Sequence, residues 1–219
     1  PTGMGKSVLL ATLAMQFRRY RGSRIFAFDM GRSIRAAILG MGGEHYDLGA
    51  DDEIAFQPLA RIDREGYRTW ASEWVEGRLL HEGAAVGPDE KAAIWSALGS
   101  LASAPVEQRT LTGLTALLQS NTLRQALAPY VLGGAHGRLL DADHDRLGTA
   151  DVQAFEMEEL MHSKAAVLAV LRYLFARFEE RLDGAPTLLI LDEAWLFLDD
   201  PVFAARIRQW LKTLRKKHV

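Results

Sequence analysis

Three residues near the start of the chain, Gly5, Lys6 and Ser7, restrict its possible folds more than any other feature. They match the last constrained positions of the motif G-x-x-x-x-G-K-[ST], in which a glycine-rich turn leads directly into a helix. The turn needs small residues because consecutive backbone N–H groups must point at one anion. We therefore predict a phosphate-binding loop here, whose first glycine would stand just before Pro1.

The predicted loop assigns roles to individual side chains. Lys6 would carry its charge to the β and γ phosphates of ATP, and the Ser7 hydroxyl would bind Mg²⁺. The backbone would wrap the phosphates, because a helix N-terminus offers unpaired N–H groups and a partial positive charge. The residues predicted to contact the nucleotide are Thr2, Gly3, Met4, Gly5, Lys6, Ser7 and Val8.

The stretch KSVLLATLAMQFRRYRG meets the requirement for a helix directly after this loop. Leu9, Leu10, Leu13 and Phe17 recur at helical spacing, and Gly22 is a typical stop signal. An ordinary helix behind a turn would show the same pattern, so the interpretation needs a second signal.

The distant stretch APTLLILDEAW supplies that signal. Thr187 to Leu191 is a short apolar run, which predicts a central parallel strand buried on both faces. Asp192 follows it and is predicted to hold the Mg²⁺ of a P-loop ATPase. Glu193 would be the general base toward the attacking water, and Lys6 is the other predicted catalytic residue. A strand before a polar turn is the simpler alternative, but the two signals agree.

Composition excludes several classes of protein. The 219 residues are 48% hydrophobic, which is enough for one large domain or a domain with an insertion. The net charge of −2 gives no overall field that would attract nucleic acid, so charge does not indicate DNA binding. The absence of cysteine excludes disulfides and thiolate metal sites.

The pattern along the chain predicts an α/β fold, a P-loop NTPase core with a parallel sheet and an all-α insertion. We assign residues 1–62 to the loop and first half of the core, 63–130 to the helical insertion, and 131–219 to the second half with the acidic-ended strand. SRIFAFDMG is a further strand candidate, and VQAFEMEEL is a strand or a short helix, with a strand favoured. We expect the chain to be a fragment of its domain, cut at both ends.

The end of the chain, DDPVFAARIRQWLKTLRKKHV, predicts a helix that Asp200 caps, with Pro201 in its first turn. Its basic residues form a solvated face or, alternatively, a subunit interface or a surface that follows DNA. They are Arg206, Arg208, Lys212, Arg215, Lys216 and Lys217.

Several stretches together resemble one family over essentially the whole chain. PTGMGKSVLL, RIFAFDMGRS, GGEHYDLG, FEMEELM, GAPTLLILDEAWLFLDDP and WLKTLRKKH are similar to the VirB4/TrbE/CagE group of type IV secretion and conjugation ATPases. The similarity is greatest to the TrbE branch. The resemblance implies that the nucleotide is bound by Gly3, Gly5, Lys6 and Ser7. It also implies that Asp192 binds the metal and that Glu193 is the catalytic base.

The resemblance also implies a biological setting. It implies a RecA-like ATPase domain that uses ATP and Mg²⁺ to energise type IV secretion, conjugative DNA transfer or pilus assembly. It implies a homo-hexamer on the cytoplasmic side of the bacterial inner membrane, peripheral to it, with other type IV secretion components as partners.

Two alternative functions stay open at this point. The first is a DNA-translocating ATPase of the FtsK/HerA type, or a coupling protein, whose turnover DNA would stimulate in a salt-sensitive way. The second is a scaffold that binds nucleotide only to assemble, without significant hydrolysis. On either interpretation Lys6 contacts phosphate rather than the core, so Lys6→Ala is expected to leave the melting temperature without nucleotide almost unchanged.

Overall fold

The computed structural model describes residues 5–50, 54–192, 204, 205 and 208. Short 3-10 turns occur at Val106–Gln108, Ala128–Tyr130 and Leu160–His162. The remaining helices and strands follow one another in the order α1 (Lys6–Phe17), β1 (Arg24–Asp29), α2 (Arg35–Gly40), β2 (Glu44–Asp47), α3 (Glu65–His81), α4 (Pro88–Leu101), α5 (Leu111–Leu117), α6 (Asn121–Leu127), α7 (Gly137–Leu140), β3 (Val152–Glu156), α8 (Lys164–Arg181) and β4 (Thr187–Leu191).

The chain divides into two compact units. The first comprises Pro1–Asp51, Gly148–His162 and Leu174–Val219 and contains all four described strands. The second comprises Asp52–Leu147 and Ser163–Tyr173 and is helical in its described part. The three-segment division predicted above, with boundaries after residues 62 and 130, stays a prediction.

The sheet of the first unit has the strand order β2-β3-β1-β4, and every described pair is parallel. Strand β1 lies in the middle, with Ile25 level with Val152 of β3 and Leu188 of β4. Parallel neighbours need crossover connections, and the helices and the helical unit occupy those connections. The predicted α/β class with a parallel sheet and an all-α insertion is confirmed.

The alternation of side chains along β1 gives the sheet two different faces. Ile25 and Ala27 are fully buried in an aliphatic cluster with residues of α1 and α2, among them Ala14 and Ile38. The intervening Phe26 and Phe28 belong to an aromatic cluster on the opposite face. Phe26 stacks on Phe178 of α8 with ring centroids 4.3 Å apart. The unbroken apolar run of β1 is thus explained, since helices cover both of its faces.

Strand β4 differs from the prediction that it is central. Among the described strands it pairs with β1 alone and lies at one edge of the sheet. Leu188, Leu189 and Leu191 are accordingly half-buried, whereas the β1 residues opposite them are buried. The strand itself has the predicted bounds, Thr187–Leu191.

The helical unit contains α3 to α7. Within the segment predicted as a helical insertion, residues 111–127 form two short helices rather than one, because Ser120 caps a new start with its side chain. Residues 137–140 form α7. In the centre of this unit Trp74 is fully buried, and its indole N–H donates to the carbonyl oxygen of Ala169 at 3.0 Å.

Some predictions fall outside the described residues. The helix from Asp200 onward and its basic face do so, apart from isolated positions such as Arg208. Across the ranges that are described, no helix is both long enough and apolar enough to cross a membrane.

Candidate nucleotide-binding site

Each described strand ends in an acidic residue at the same edge of the sheet. Asp29, Asp47 and Glu156 are the last residues of β1, β2 and β3, and Asp192 directly follows β4. Because all four strands run in the same direction, these carboxylates gather at the carboxyl edge. In open α/β sheets this edge is where ligands bind.

Helix α1 begins in the way that anion binding requires. Gly5 has a φ of 76°, in the left-handed region that glycine adopts without strain. The helical hydrogen bonds start with the Leu9 N–H, which donates to the Gly5 carbonyl at 2.9 Å. The amides of Ser7 and Val8 therefore precede the helical ladder, and no described side chain caps this turn. The start of α1 fits a phosphate group.

The site brings together its two predicted charged residues from opposite ends of the chain. Lys6 Nζ lies 2.9 Å from Asp192 Oδ1. The lysine side chain is 54% exposed, while that of Asp192 is only 7% exposed. The position of Asp192 is fixed through its backbone, because its N–H donates to the Phe28 carbonyl at 2.9 Å. The structure therefore places the predicted phosphate ligand beside the predicted metal ligand.

This ion pair changes the expectation for Lys6→Ala without nucleotide. Removing the lysine takes a cation from a buried carboxylate, so we expect a stability loss of about 1 kcal/mol, the upper end of the range for half-exposed pairs. For a domain of this size that equals a melting temperature lower by about 2–4 °C. Thermal melting of the nucleotide-free protein measures it, and an unchanged midpoint would show that the pair contributes nothing.

The turn between β1 and α2 is held by two of the edge carboxylates. Asp29 accepts hydrogen bonds from the Ser33 hydroxyl at 2.6 Å and from the Ile34 N–H at 2.9 Å. Glu156 accepts from the Gly31 N–H at 3.1 Å. Burial raises the pKa of Asp29, and the nearby Glu156 carboxylate acts in the same direction.

Arg32, in this turn, has an unusual backbone. Its φ of 56° is in the left-handed region, where a residue with a side chain is strained. Its N–H donates to Glu156, and its Nε lies 2.7 Å from Asp47 Oδ2. The carboxylates at the ends of β2 and β3 thus hold Arg32 in place at the carboxyl edge.

The predicted site residues are partly within the described chain. Gly5, Lys6, Ser7, Val8 and Asp192 lie at the carboxyl edge or at the start of α1, with Ser7 half-buried and Val8 70% exposed. Outside the described residues are Thr2, Gly3, Met4 and Glu193.

Sequence reasoning misses the carboxylates that surround the site. The sequence pattern does not single out Asp47 and Glu156, and it marks Asp29 only as the end of a strand. The available signal is that each of them ends a strand, but the order of the strands is needed to bring them together.

Comparison with known proteins identifies the relatives of this chain. No family profile matches it. It is 44% identical over 222 residues to a probable conjugal transfer protein TrbE of Sinorhizobium fredii, and 44% identical over 224 residues to TrbE of Rhizobium radiobacter. Each alignment covers 99% of this chain. The chain is a homologue of TrbE proteins. The type IV secretion system protein virB4 of Bartonella quintana is 27% identical over 224 residues, an alignment that covers 100% of this TrbE-like chain.

A solved structure shows the fold that this TrbE-like chain shares. The structure of VirB4 from Thermoanaerobacter pseudethanolicus matches 100% of the chain with a TM-score of 0.73 at 20% sequence identity, and 66% of that protein is covered. The match confirms the predicted RecA-like α/β architecture. The chain spans only 33% and 27% of the two TrbE relatives and 28% of the Bartonella quintana protein.

Proposed function

We propose that this chain is the ATP-hydrolysing part of a motor that energises type IV secretion, conjugative DNA transfer or pilus assembly. The observation that carries the proposal is the pair of Lys6 and Asp192, 2.9 Å apart at the start of α1 and the end of β4. A lysine behind a phosphate-binding turn and a carboxylate at a strand end are the two charges that a Mg²⁺-nucleotide complex requires. The names of the relatives, conjugal transfer protein and type IV secretion system protein, support the biological setting.

Each residue of the proposed site has a defined task. Bound Mg²⁺ would supply charge stabilisation at the phosphates. Lys6 and the amides at the start of α1 would hold the β and γ phosphates, while Ser7 and Asp192 would hold the metal. Glu193, the residue after Asp192, would accept the proton of the attacking water.

Nucleotide binding would require this ion pair to separate. Lys6 would then turn from Asp192 toward the phosphates, and Asp192 would become available as a metal ligand. Because Asp192 is held through its backbone on β1 and Lys6 is half exposed, the lysine is the partner that moves. Without nucleotide, the pair keeps a positive charge beside the buried Asp192 carboxylate.

The assembly and the place of action are also part of the proposal. We propose a homo-hexamer on the cytoplasmic side of the inner membrane, together with other type IV secretion components. The RecA-like fold and the names of the relatives support this setting. The net charge of −2 does not favour direct DNA binding by this chain.

Lys6→Ala in the full-length protein tests the proposal. We expect ATP binding, ATP hydrolysis and transfer in cells to be lost, because the loop can no longer neutralise the phosphates. Lys91→Ala is the matched control: Lys91 is 57% exposed and also pairs with a carboxylate, Glu76, but it lies in the helical unit. It should leave all three activities unchanged.

The measurements are nucleotide affinity, phosphate release and transfer frequency on the same preparations or strains. A folded Lys6→Ala protein that hydrolyses ATP at the parental rate would reject the proposed site. Equal losses of these activities in Lys6→Ala and Lys91→Ala would show that the substitutions disturb the fold rather than nucleotide binding.

A further inference from the structure

We propose that Asp29, His45 and Glu156 form a binding site for a transition-metal dication of the Zn²⁺ type. The three side chains come from β1, β2 and β3, which lie side by side, and one ligand atom from each lies within 4.8 Å of the others. Asp29 and Glu156 are buried and His45 is half-buried. Neither Ser7 nor Asp192 belongs to this ligand set, so it differs from the proposed nucleotide site.

The nitrogen of His45 is the observation that indicates a ligand. His45 Nε2 is buried, and none of the described residues forms a hydrogen bond with it. A buried polar atom without a partner loses the hydrogen bonds that it makes to water in the unfolded chain, so proteins rarely leave one. Burial and the charge of Arg35 lower the pKa of His45. This direction favours the neutral imidazole, the form that binds metals.

The two carboxylates are already fixed in position but retain binding capacity. Asp29 accepts two hydrogen bonds, and Glu156 accepts three, from the N–H groups of Gly31, Arg32 and Glu158. An ionised carboxylate has about four lone-pair sites, so each retains at least one for a cation. Hydrogen bonds of this kind orient the ligands of metal sites.

Several carboxylates act on this place, together with the positive charge of Arg35 named above. Burial raises the pKa of Asp29, and the negative charges of Glu156 and Asp192 add to that effect. A dication between Asp29 and Glu156 would replace their repulsion by attraction to a common centre.

The donor set selects the kind of metal. Mg²⁺ prefers oxygen ligands in octahedral geometry, whereas Zn²⁺ accepts a combination of imidazole and carboxylate at about 2.0–2.2 Å. Separations of up to 4.8 Å between ligand atoms are larger than those in a site with such short metal–ligand bonds. One side chain must therefore turn inward. His45 can do so because its Nε2 has no hydrogen bond to break within the described chain.

The site would have a structural consequence. It would join the carboxyl ends of β1 and β3 to His45, the second residue of β2, and hold the turn of Gly31 and Arg32 that Glu156 supports. The resulting stabilisation follows from binding to the folded state alone.

Zinc titration of the full-length protein tests the inference, without nucleotide and after removal of metals by a chelator. We expect one equivalent of Zn²⁺ to bind more tightly than Mg²⁺ by calorimetry and to raise the melting temperature. His45→Ala should weaken this equivalent by at least about 10-fold. The control is His81→Ala, which removes an exposed histidine at the end of α3 and should bind zinc like the parent.

Three results would overturn the inference: no zinc bound by the folded parent protein, equal affinity in the parent and His45→Ala, or a loss as large in His81→Ala. If His45→Ala does not fold, His45→Gln, which is closer in size to histidine, takes its place with the same criteria. ATP is not used, so a failure here leaves the proposed ATPase function untouched, and the reverse also holds.

Discussion

Glu193→Gln in the full-length protein is expected to bind Mg²⁺-ATP about as tightly as the parent and to lose at least roughly 10²-fold in turnover. The change keeps the size and hydrogen bonding of the side chain but removes the base. Ground-state binding depends on other groups, namely the amides at the start of α1, Lys6 and the metal. Steady-state phosphate release and equilibrium nucleotide binding measure the two effects separately.

A second carboxylate serves as the comparison for this prediction. Asp192→Ala should weaken Mg²⁺-dependent binding as well as turnover, because Asp192 is the proposed metal ligand. If the protein assembles into rings, Glu193→Gln subunits should also inhibit parental subunits in mixed rings. Unchanged transfer in cells that carry only Glu193→Gln would refute the motor and support a nucleotide-dependent scaffold.

Phe28→Ala is expected to lower the free energy of unfolding of this domain by about 3–5 kcal/mol, the usual cost of removing a buried phenylalanine ring. Phe28 is fully buried in the central strand. Its ring centroid lies 5.4 Å from that of Phe155, 5.2 Å from that of Phe175 and 5.8 Å from that of Phe178. The deletion leaves a cavity among three other rings, which cannot close without moving α8 or β3.

Denaturant unfolding of the parent and the variant measures this effect. Leu132→Ala is the control, since Leu132 is 75% exposed and its truncation should change stability by less than about 0.5 kcal/mol. A cost below about 1 kcal/mol for Phe28→Ala would contradict the aromatic cluster as a source of stability.

The DNA-translocating alternative makes a different prediction. A motor of the FtsK/HerA type would be stimulated by DNA in a way that weakens steeply with added salt. In the motor proposed here, DNA should not stimulate ATP turnover through this chain, because its net charge is −2. ATP turnover measured with and without duplex DNA at two salt concentrations separates the two functions.

The sequence by itself determined the local elements and the two charged motifs. The run of strand-forming residues predicted β4 with its observed bounds, and the glycine-lysine-serine motif predicted the start of α1. These features were predictable because they depend on neighbours in the sequence: the hydrophobic period, the glycine turn and the stop signals. The division of the helical insertion into separate short helices such as α5 and α6 was not predicted, because short helices depend on caps and tertiary packing more than on period.

Only the tertiary structure decided which residues meet. Parallel pairing of β1 with β3 and β4 brings Asp192 to Lys6 and Glu156 to Asp29, although these residues are far apart in the sequence. A buried parallel strand has nearly the same apolar pattern whatever its neighbour, so the order β2-β3-β1-β4 could not be derived from the pattern. Strand order fixes which strands lie side by side, and it therefore decided both the Lys6–Asp192 pair and the Asp29–His45–Glu156 cluster.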